Sequence, residues 1–138
     1  MIFVDTNILL DLLEDAATPQ ADWSRAVLSA EAANQLLVSN LIVAAELSGQ
    51  VSDAAALGET LAAVDVELLD LDLAVAHRAG RAFADYRRRG GKRQVILPDF
   101  LIAAHAEVLD ATLLTRDRGI GNYFPDLNLI TPETHPHG

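Results

Sequence analysis

Ile2-Phe3-Val4-Asp5-Thr6-Asn7 opens the chain with three apolar residues and closes the run on a carboxylate. Two β-branched residues around an aromatic favour a short extended strand, here Ile2 to Val4. Asp, Thr and Asn then supply the residue types that start helices. Leucines at 9, 10, 12 and 13 continue with helical spacing, over roughly Asn7 to Glu14. A strand that stops on an acid and turns at once into a helix is half of a parallel β/α unit.

The same grammar recurs downstream. Thr18-Pro19 predicts a second helix, with Thr as N-cap and Pro in the first turn. Leu36 to Val38 reads as a second strand. Ser39 or Asn40 caps a helix that Gly49 is suited to stop. Asp53 starts a helix towards Asp65, and Val66 to Leu69 is a third strand. Asp72 caps a long helix ending in Arg87-Arg88-Arg89-Gly90, where cations suit the C-terminal dipole and Gly the left-handed cap. Leu97-Pro98-Asp99 begins a helix that ends near Asp110. Thr112 to Thr115 is a fourth strand, Leu127 to Ile130 a weaker fifth, and TPETHPHG reads as a tail. Strands separated by helices, with no hairpin signal, imply an α/β protein with a parallel sheet between two helical layers. Residues 1–131 are read as a single domain, with 132–138 as the tail.

Four acids stand out against this frame. Asp5, Glu46, Asp99 and Asp117 lie in or at the ends of apolar segments, IFVD, LIVAAEL, VILPDFLIAA and TLLTRD. In open parallel sheets, ligands bind beyond the carboxyl ends of the strands. Asp5 follows the first strand directly and Asp117 follows the fourth within two residues, so neighbouring strands would aim both into one crevice. Each acid also has an ordinary reading. Asp5 and Asp99 could cap helices, Glu46 could reach water from the edge of an apolar stripe, and Asp117 could pair with Arg116 or Arg118. Taken together they point to a cation. Two carboxylates about 4 Å apart repel by roughly 4 kcal/mol at an effective dielectric near 20, and four sharing a pocket need a positive ion or protons. Oxygen donors without His or Cys favour Mg²⁺ or Mn²⁺ over Zn²⁺.

Composition narrows the setting. The 138 residues carry a net charge of -10, yet Arg87, Arg88, Arg89, Lys92 and Arg93 place half of the ten Lys and Arg within seven positions. That cluster is a candidate for gripping RNA phosphate, and a solvated helix end is its plain alternative. Arg116 and Arg118 flank the acids and could hold phosphate or pair with acids. The chain has no cysteine, which excludes disulfides and thiolate sites and is compatible with a reducing cytosol. Its longest uncharged stretch, Ala32 to Ala45, is too short to span a membrane, and MIFVD lacks a basic signal-peptide start. A cytoplasmic protein is therefore expected. His77, His105, His135 and His137 show no zinc-site spacing. Trp23, Leu9, Leu12 and Leu13 belong to the core or to an interface.

The stretches VDTNILLDLL, LIVAAEL, LPDFLIAAHA and LLTRDRG followed by YFPDLNLITP resemble, in order and over nearly the whole chain, the PIN domain, and more narrowly VapC-type toxins of bacterial toxin–antitoxin operons. The resemblance implies a five-stranded parallel sheet ordered 3-2-1-4-5. It implies an Mg²⁺- or Mn²⁺-dependent ribonuclease with Asp5, Glu46, Asp99 and Asp117 as the acid set, Thr115 as the hydroxyl near the metal and Asn7 supporting the first Asp. It further implies an RNA substrate, a cognate antitoxin with a basic C-terminal segment, and a homodimer. Arg118-Gly119-Ile120-Gly121-Asn122 is shorter and richer in Gly than in many relatives. Rival readings are an RNA-processing nuclease, a non-catalytic PIN-like binding module, and a receiver-type phospho-acceptor. The last needs a Lys after the final strand, and the one lysine, Lys92, lies in a loop before a helix.

Overall fold

A computed structural model describes residues 1–15 and 17–137. Its strands are β1 (Ile2–Val4), β2 (Leu37–Asn40), β3 (Val66–Leu69), β4 (Thr112–Leu114) and β5 (Leu129–Ile130). The helices are α1 (Thr6–Glu14), α2 (Pro19–Ala32), α3 (Leu41–Leu47), α4 (Ala54–Ala63), α5 (Leu73–Arg88) and α6 (Pro98–Val108). The sheet is parallel throughout and ordered β3-β2-β1-β4-β5, as expected. Phe3 lies opposite Val38 on one side and Leu113 on the other.

The two strands at the centre are buried along their whole length, and Phe3, Val4, Val38 and Leu114 are wholly inaccessible. That is the signature of a sheet covered by helices on both faces. Edge strand β3 instead exposes Glu67 between Val66 and the half-buried Leu68. Helix starts follow the chemistry of their first residues. Thr18, Asp53 and Asp72 each accept an amide N–H from their own first turn. Asp65 and Asp110, both at positive φ, close α4 and α6 without a glycine. Gly90, at φ 91°, is the left-handed stop anticipated for α5.

Boundaries shift by a residue or two, β2 starting at Leu37 and β4 ending at Leu114, and three of the shifts have a visible physical reason. β2 runs to Asn40, because that residue pairs with Leu69 in the ladder while its side chain caps α3. α3 ends at Leu47, and a short 3₁₀ turn over Ser48–Gln50 absorbs Gly49. β5 keeps only Leu129–Ile130, since Leu127 folds back through a bond to the Phe124 carbonyl. The first part of the tail is tied to the end of the domain: Thr131 is buried, Thr134 and His135 donate backbone N–H to its carbonyl, and the Trp23 indole donates to the His135 carbonyl at 2.6 Å. The tail's last residue, Gly138, lies outside the described residues. No helix among the described residues is long and apolar enough to cross a membrane.

Candidate functional site

Each of the four acids hangs from a different junction, and the sheet order brings those junctions to one edge. Asp5 ends β1 and is the N-cap of α1, so the capping and functional readings coincide in one residue. Its Oδ1 accepts the Thr6 N–H at 2.7 Å, and its Oδ2 accepts the Thr115 hydroxyl at 2.7 Å. Glu46 lies on α3 and accepts the Thr6 hydroxyl at 2.7 Å. Asp99 is in the first turn of α6, whose N-cap is Leu97. Asp117 follows β4 and receives the Gly119 N–H on its side chain. Together with Thr6, Asn7 and Leu10, these carboxylates line one open hollow of about 210 Å³.

Thr115 is the hinge-pin of this arrangement. Fully buried, it donates to Asp5 and accepts from the Asn7 side chain at 3.3 Å and from the Asp117 backbone at 2.9 Å. One hydroxyl thereby fixes the positions of two acids 112 residues apart in sequence. Asn7 adds a long contact to Asp5 at 3.4 Å and accepts the Arg116 N–H at 3.1 Å, tying α1 to the loop after β4. Thr6 is the member that sequence reading passed over as a mere alternative cap. Its hydroxyl aims Glu46 into the hollow, and its only sequence signal was adjacency to Asp5.

The acids feel one another. Burial, first, and then the charges of Asp99 and Glu46 lift Asp5 from the ordinary carboxylate range to about 6, against the lowering effect of its bonds to Thr115 and Thr6. Asp99 is raised as well, by desolvation and then by Glu46 and Asp117. A concentrated negative field of this kind is a place for a cation.

A family model described as the PIN domain matches residues 2–123. The chain belongs to the PIN domain family. The similar solved structures carry the same fold. VapBC2 from Rickettsia felis, bound to a DNA fragment from its promoter, aligns at 23% identity and TM-score 0.71, covering 95% of this chain and 98% of that one. VapBC-1 from nontypeable Haemophilus influenzae aligns at 22% identity and TM-score 0.67, over 95% and 98%. A toxin–antitoxin complex from Klebsiella pneumoniae gives 23% and 0.67, over 96% and 98%. No curated protein matches the sequence.

The donor set of this PIN domain fits a hard divalent cation in kind: carboxylate oxygens, with hydroxyl groups of Thr6 and Thr115 orienting them and no histidine in the hollow. Among the described residues, however, no group of three or more His, Asp or Glu side chains is arranged to hold a metal ion. The hollow gathers the right atoms without closing them into a coordination sphere.

The basic residues divide. The Arg116 guanidinium forms a two-pronged salt bridge with the buried Asp11, at 2.8 and 3.1 Å, and Asp11 also accepts the Ser24 hydroxyl at 2.5 Å. Of the two roles expected for Arg116, holding phosphate or pairing with an acid, the structure shows a pair, and the acid is Asp11. Arg118 is exposed beside Asp117. In the 87–93 cluster, Arg88 pairs with Asp85 and Arg87 bonds the Arg93 carbonyl. Arg89 donates to the Asn122 carbonyl at 3.0 Å and lies 5.0 Å over the Tyr123 ring, while Lys92 and Arg93 are exposed. The loop folds round Tyr86, whose hydroxyl accepts the Arg93 N–H and whose ring lies flat against Gly91. A side chain at 91 would overlap that ring, so Gly91→Ala is expected to cost about 1–3 kcal/mol of overpacking, read by urea denaturation.

His105 is a core residue. It is 3% exposed and 5.2 Å from the Phe3 ring. Asn40 uses its carbonyl oxygen to cap α3 through Ile42 and Val43, so its amide must face His105 Nδ1, at 3.1 Å. Nδ1 therefore accepts and the proton sits on Nε2. Burial lowers the affinity of this ring for a second proton. His77 is exposed on α5.

Proposed function

We propose that this PIN domain is a divalent-metal-dependent endoribonuclease and the toxin of a toxin–antitoxin pair. The observation that carries the reading is the convergence of Asp5, Glu46, Asp99 and Asp117 on one hollow, two of them held by a single buried threonine. Asp5, Asp99, Asp117 and Glu46 would hold Mg²⁺ or Mn²⁺, Asp5 and Asp99 most directly. When bound, such an ion supplies a water acidic enough to attack phosphorus at neutral pH and neutralises charge on the phosphoryl oxygens. The protein's own part is positional. Thr6 and Thr115 keep Asp5 and Glu46 aimed, Asn7 ties α1 to the 115–117 loop, and Glu46 is placed to orient the nucleophile.

RNA cleavage by the purified chain should require added Mg²⁺ or Mn²⁺ and stop with EDTA. The same ions should raise the melting temperature of the parent and raise it much less in Asp99→Asn. Cleavage that survives exhaustive chelation would sink the metal assignment. Neutralising Lys92, Arg93 and Arg89 together should flatten the salt dependence of RNA binding, because fewer counterions are released. An unchanged slope would return the cluster to a solvated helix end.

The antitoxin reading has its own support. Leu12 and Leu13, half-buried, line an apolar hollow of about 250 Å³ with Leu9, Leu61 and Val64, and a neighbouring one of about 500 Å³ shares Leu12 and Val64. A partner segment with a hydrophobic face fits this trough, and a basic end suits a chain of net charge -10. A small upstream reading frame that encodes a DNA-binding N-terminus and a basic C-terminus would support this reading, and co-expression with its product should yield a complex whose formation Leu12→Arg abolishes. The homodimer expected for the family is read directly by light scattering.

A further inference from the structure

Asn40 and His105 are polar, buried in the core, and hydrogen-bonded to each other rather than to any of the four acids. The Asn40 amide donates to His105 Nδ1 at 3.1 Å, while its carbonyl oxygen holds the first turn of α3 through the Ile42 and Val43 N–H groups. Among the described residues this is the only side-chain hydrogen bond between the β2–α3 arm and α6. Burial lowers the proton affinity of the ring, against a smaller raising effect from Asp72, so the ring stays neutral at pH 7 and Nδ1 remains an acceptor. The same ring packs 5.2 Å from Phe3 of β1. Three elements therefore meet at this histidine, and each leads to an acid of the hollow. Asp5 stands two residues after Phe3, Glu46 six after Asn40, and Asp99 six before His105.

We infer that His105 is a positioning residue for the acid hollow, acting through Asn40 to hold Glu46 of α3 and Asp99 of α6 at the spacing a divalent ion needs. The inference rests on the metal-dependent reading and adds a residue that none of the acids touches. Glu46 is fixed to α1 by the Thr6 hydroxyl, but Asp99 makes no side-chain hydrogen bond among the described residues. Its place is set by where α6 lies. A salt bridge from Arg78 to Glu107 ties α6 to α5, and the His105 bond ties it towards α3. The charges of Glu46 and Asp117 act on Asp99 and work to spread these helices. Apolar packing is non-directional and lets helices slide, whereas a buried hydrogen bond fixes both distance and angle. Asn40 cannot turn away, because its oxygen is committed to the α3 cap. A residue that only filled space would need no acceptor, and leucine would do so without a polar group to satisfy.

The test is Mn²⁺ binding, measured by calorimetry on folded chains below their melting temperatures. His105→Leu keeps apolar volume and removes the acceptor. Asn40→Ser keeps an oxygen to cap α3 and removes the amide, and it carries the test should His105→Leu fail to fold. Each should weaken Mn²⁺ binding by about threefold to thirtyfold, the range for loosening a coupling contact, with RNA binding in the absence of metal unchanged. The double variant should lose no more than the weaker-binding single one. His105→Asn is smaller than His105→Leu, but it sets a carbonyl oxygen where Nδ1 stood and should recover most of the lost affinity. Packing alone would rank the two the other way. Three results each overturn the inference: Mn²⁺ affinity unchanged in both single variants while only their melting temperatures fall, additive losses in the double variant, or tighter binding by His105→Leu than by His105→Asn. The metal reading itself fails on a different observation, an unsubstituted chain that neither binds Mn²⁺ nor cleaves RNA with it, and that result takes the inference down as well.

Discussion

Asp5→Asn should lose RNA cleavage by on the order of 10²–10³, the range for removing one preorganised charge-stabilising group, and at the same time melt at a higher temperature than the parent at pH 7 without metal. Both effects have one origin. Asp5 is 8% exposed, and its carboxyl is held near 6 rather than near 3.8. An acid with a raised folded-state pKa stabilises the fold below about 4, and that contribution disappears as pH rises through about 6. At pH 7 the buried charge therefore works against folding, by an upper bound of about 3 kcal/mol for a shift of roughly two units. Asparagine removes the charge and keeps an acceptor for the Thr6 N–H. Its amide meets a Thr115 hydroxyl that already accepts two N–H groups, which trims the gain to about 1–3 kcal/mol. The difference in stability between the two chains should grow between pH 4 and pH 6.5 and then level off. Added Mg²⁺ or Mn²⁺ should reverse the ranking, since only the parent gains a counter-ion for that charge. Equal melting curves across this range would show that Asp5 carries no buried charge. Full cleavage by a folded Asp5→Asn chain would remove it from the reaction.

The second large effect lies beside the hollow. Asp11→Ala should destabilise the protein by about 2–4 kcal/mol, because it leaves the Arg116 guanidinium, about one-third exposed, without its carboxylate and the buried Ser24 hydroxyl without an acceptor. Arg116→Ala should cost a comparable amount. The double variant should cost less than the sum by about 1.5–3 kcal/mol, the coupling of one shared pair. Arg116 is held at its backbone by Asn7 and precedes Asp117, so both single variants should also lower kcat, through a displaced Asp117, and leave the salt dependence of RNA binding untouched. Additive costs in the cycle, or a flattened salt slope in Arg116→Ala, would give this arginine back to the substrate.

Much of the fold was legible because its signals are local. A parallel sheet with both faces covered needs short wholly apolar strands, and IFV and LLV are such runs. Helix starts at Thr18, Asp53 and Asp72 were readable because a cap acts on the next three residues. The acids were legible for a related reason: a carboxylate ending an apolar strand has few inexpensive explanations. Element ends were less readable. Asn40 serves a strand, a cap and a buried histidine at once, and Leu127 turns away from β5 for a bond to Phe124.

What the chain dictates by its order of residues is therefore the α/β layering, the strand sequence through its family resemblance, and the four acids as a set. What only the folded molecule decides is who stands next to whom. Thr6 orients Glu46 across 40 residues, Thr115 bonds Asp5 across 110, and Asp11 withdraws Arg116 from solvent across 105. The rings of Tyr86, Phe100 and Tyr123 are brought together in the same way, from α5, α6 and the turn before β5. Helical and strand periodicity reports which side of its own element a residue occupies. Hydrogen bonds and ion pairs act over about 3 Å between atoms, and which distant residues come that close is settled by the packing of the whole sheet.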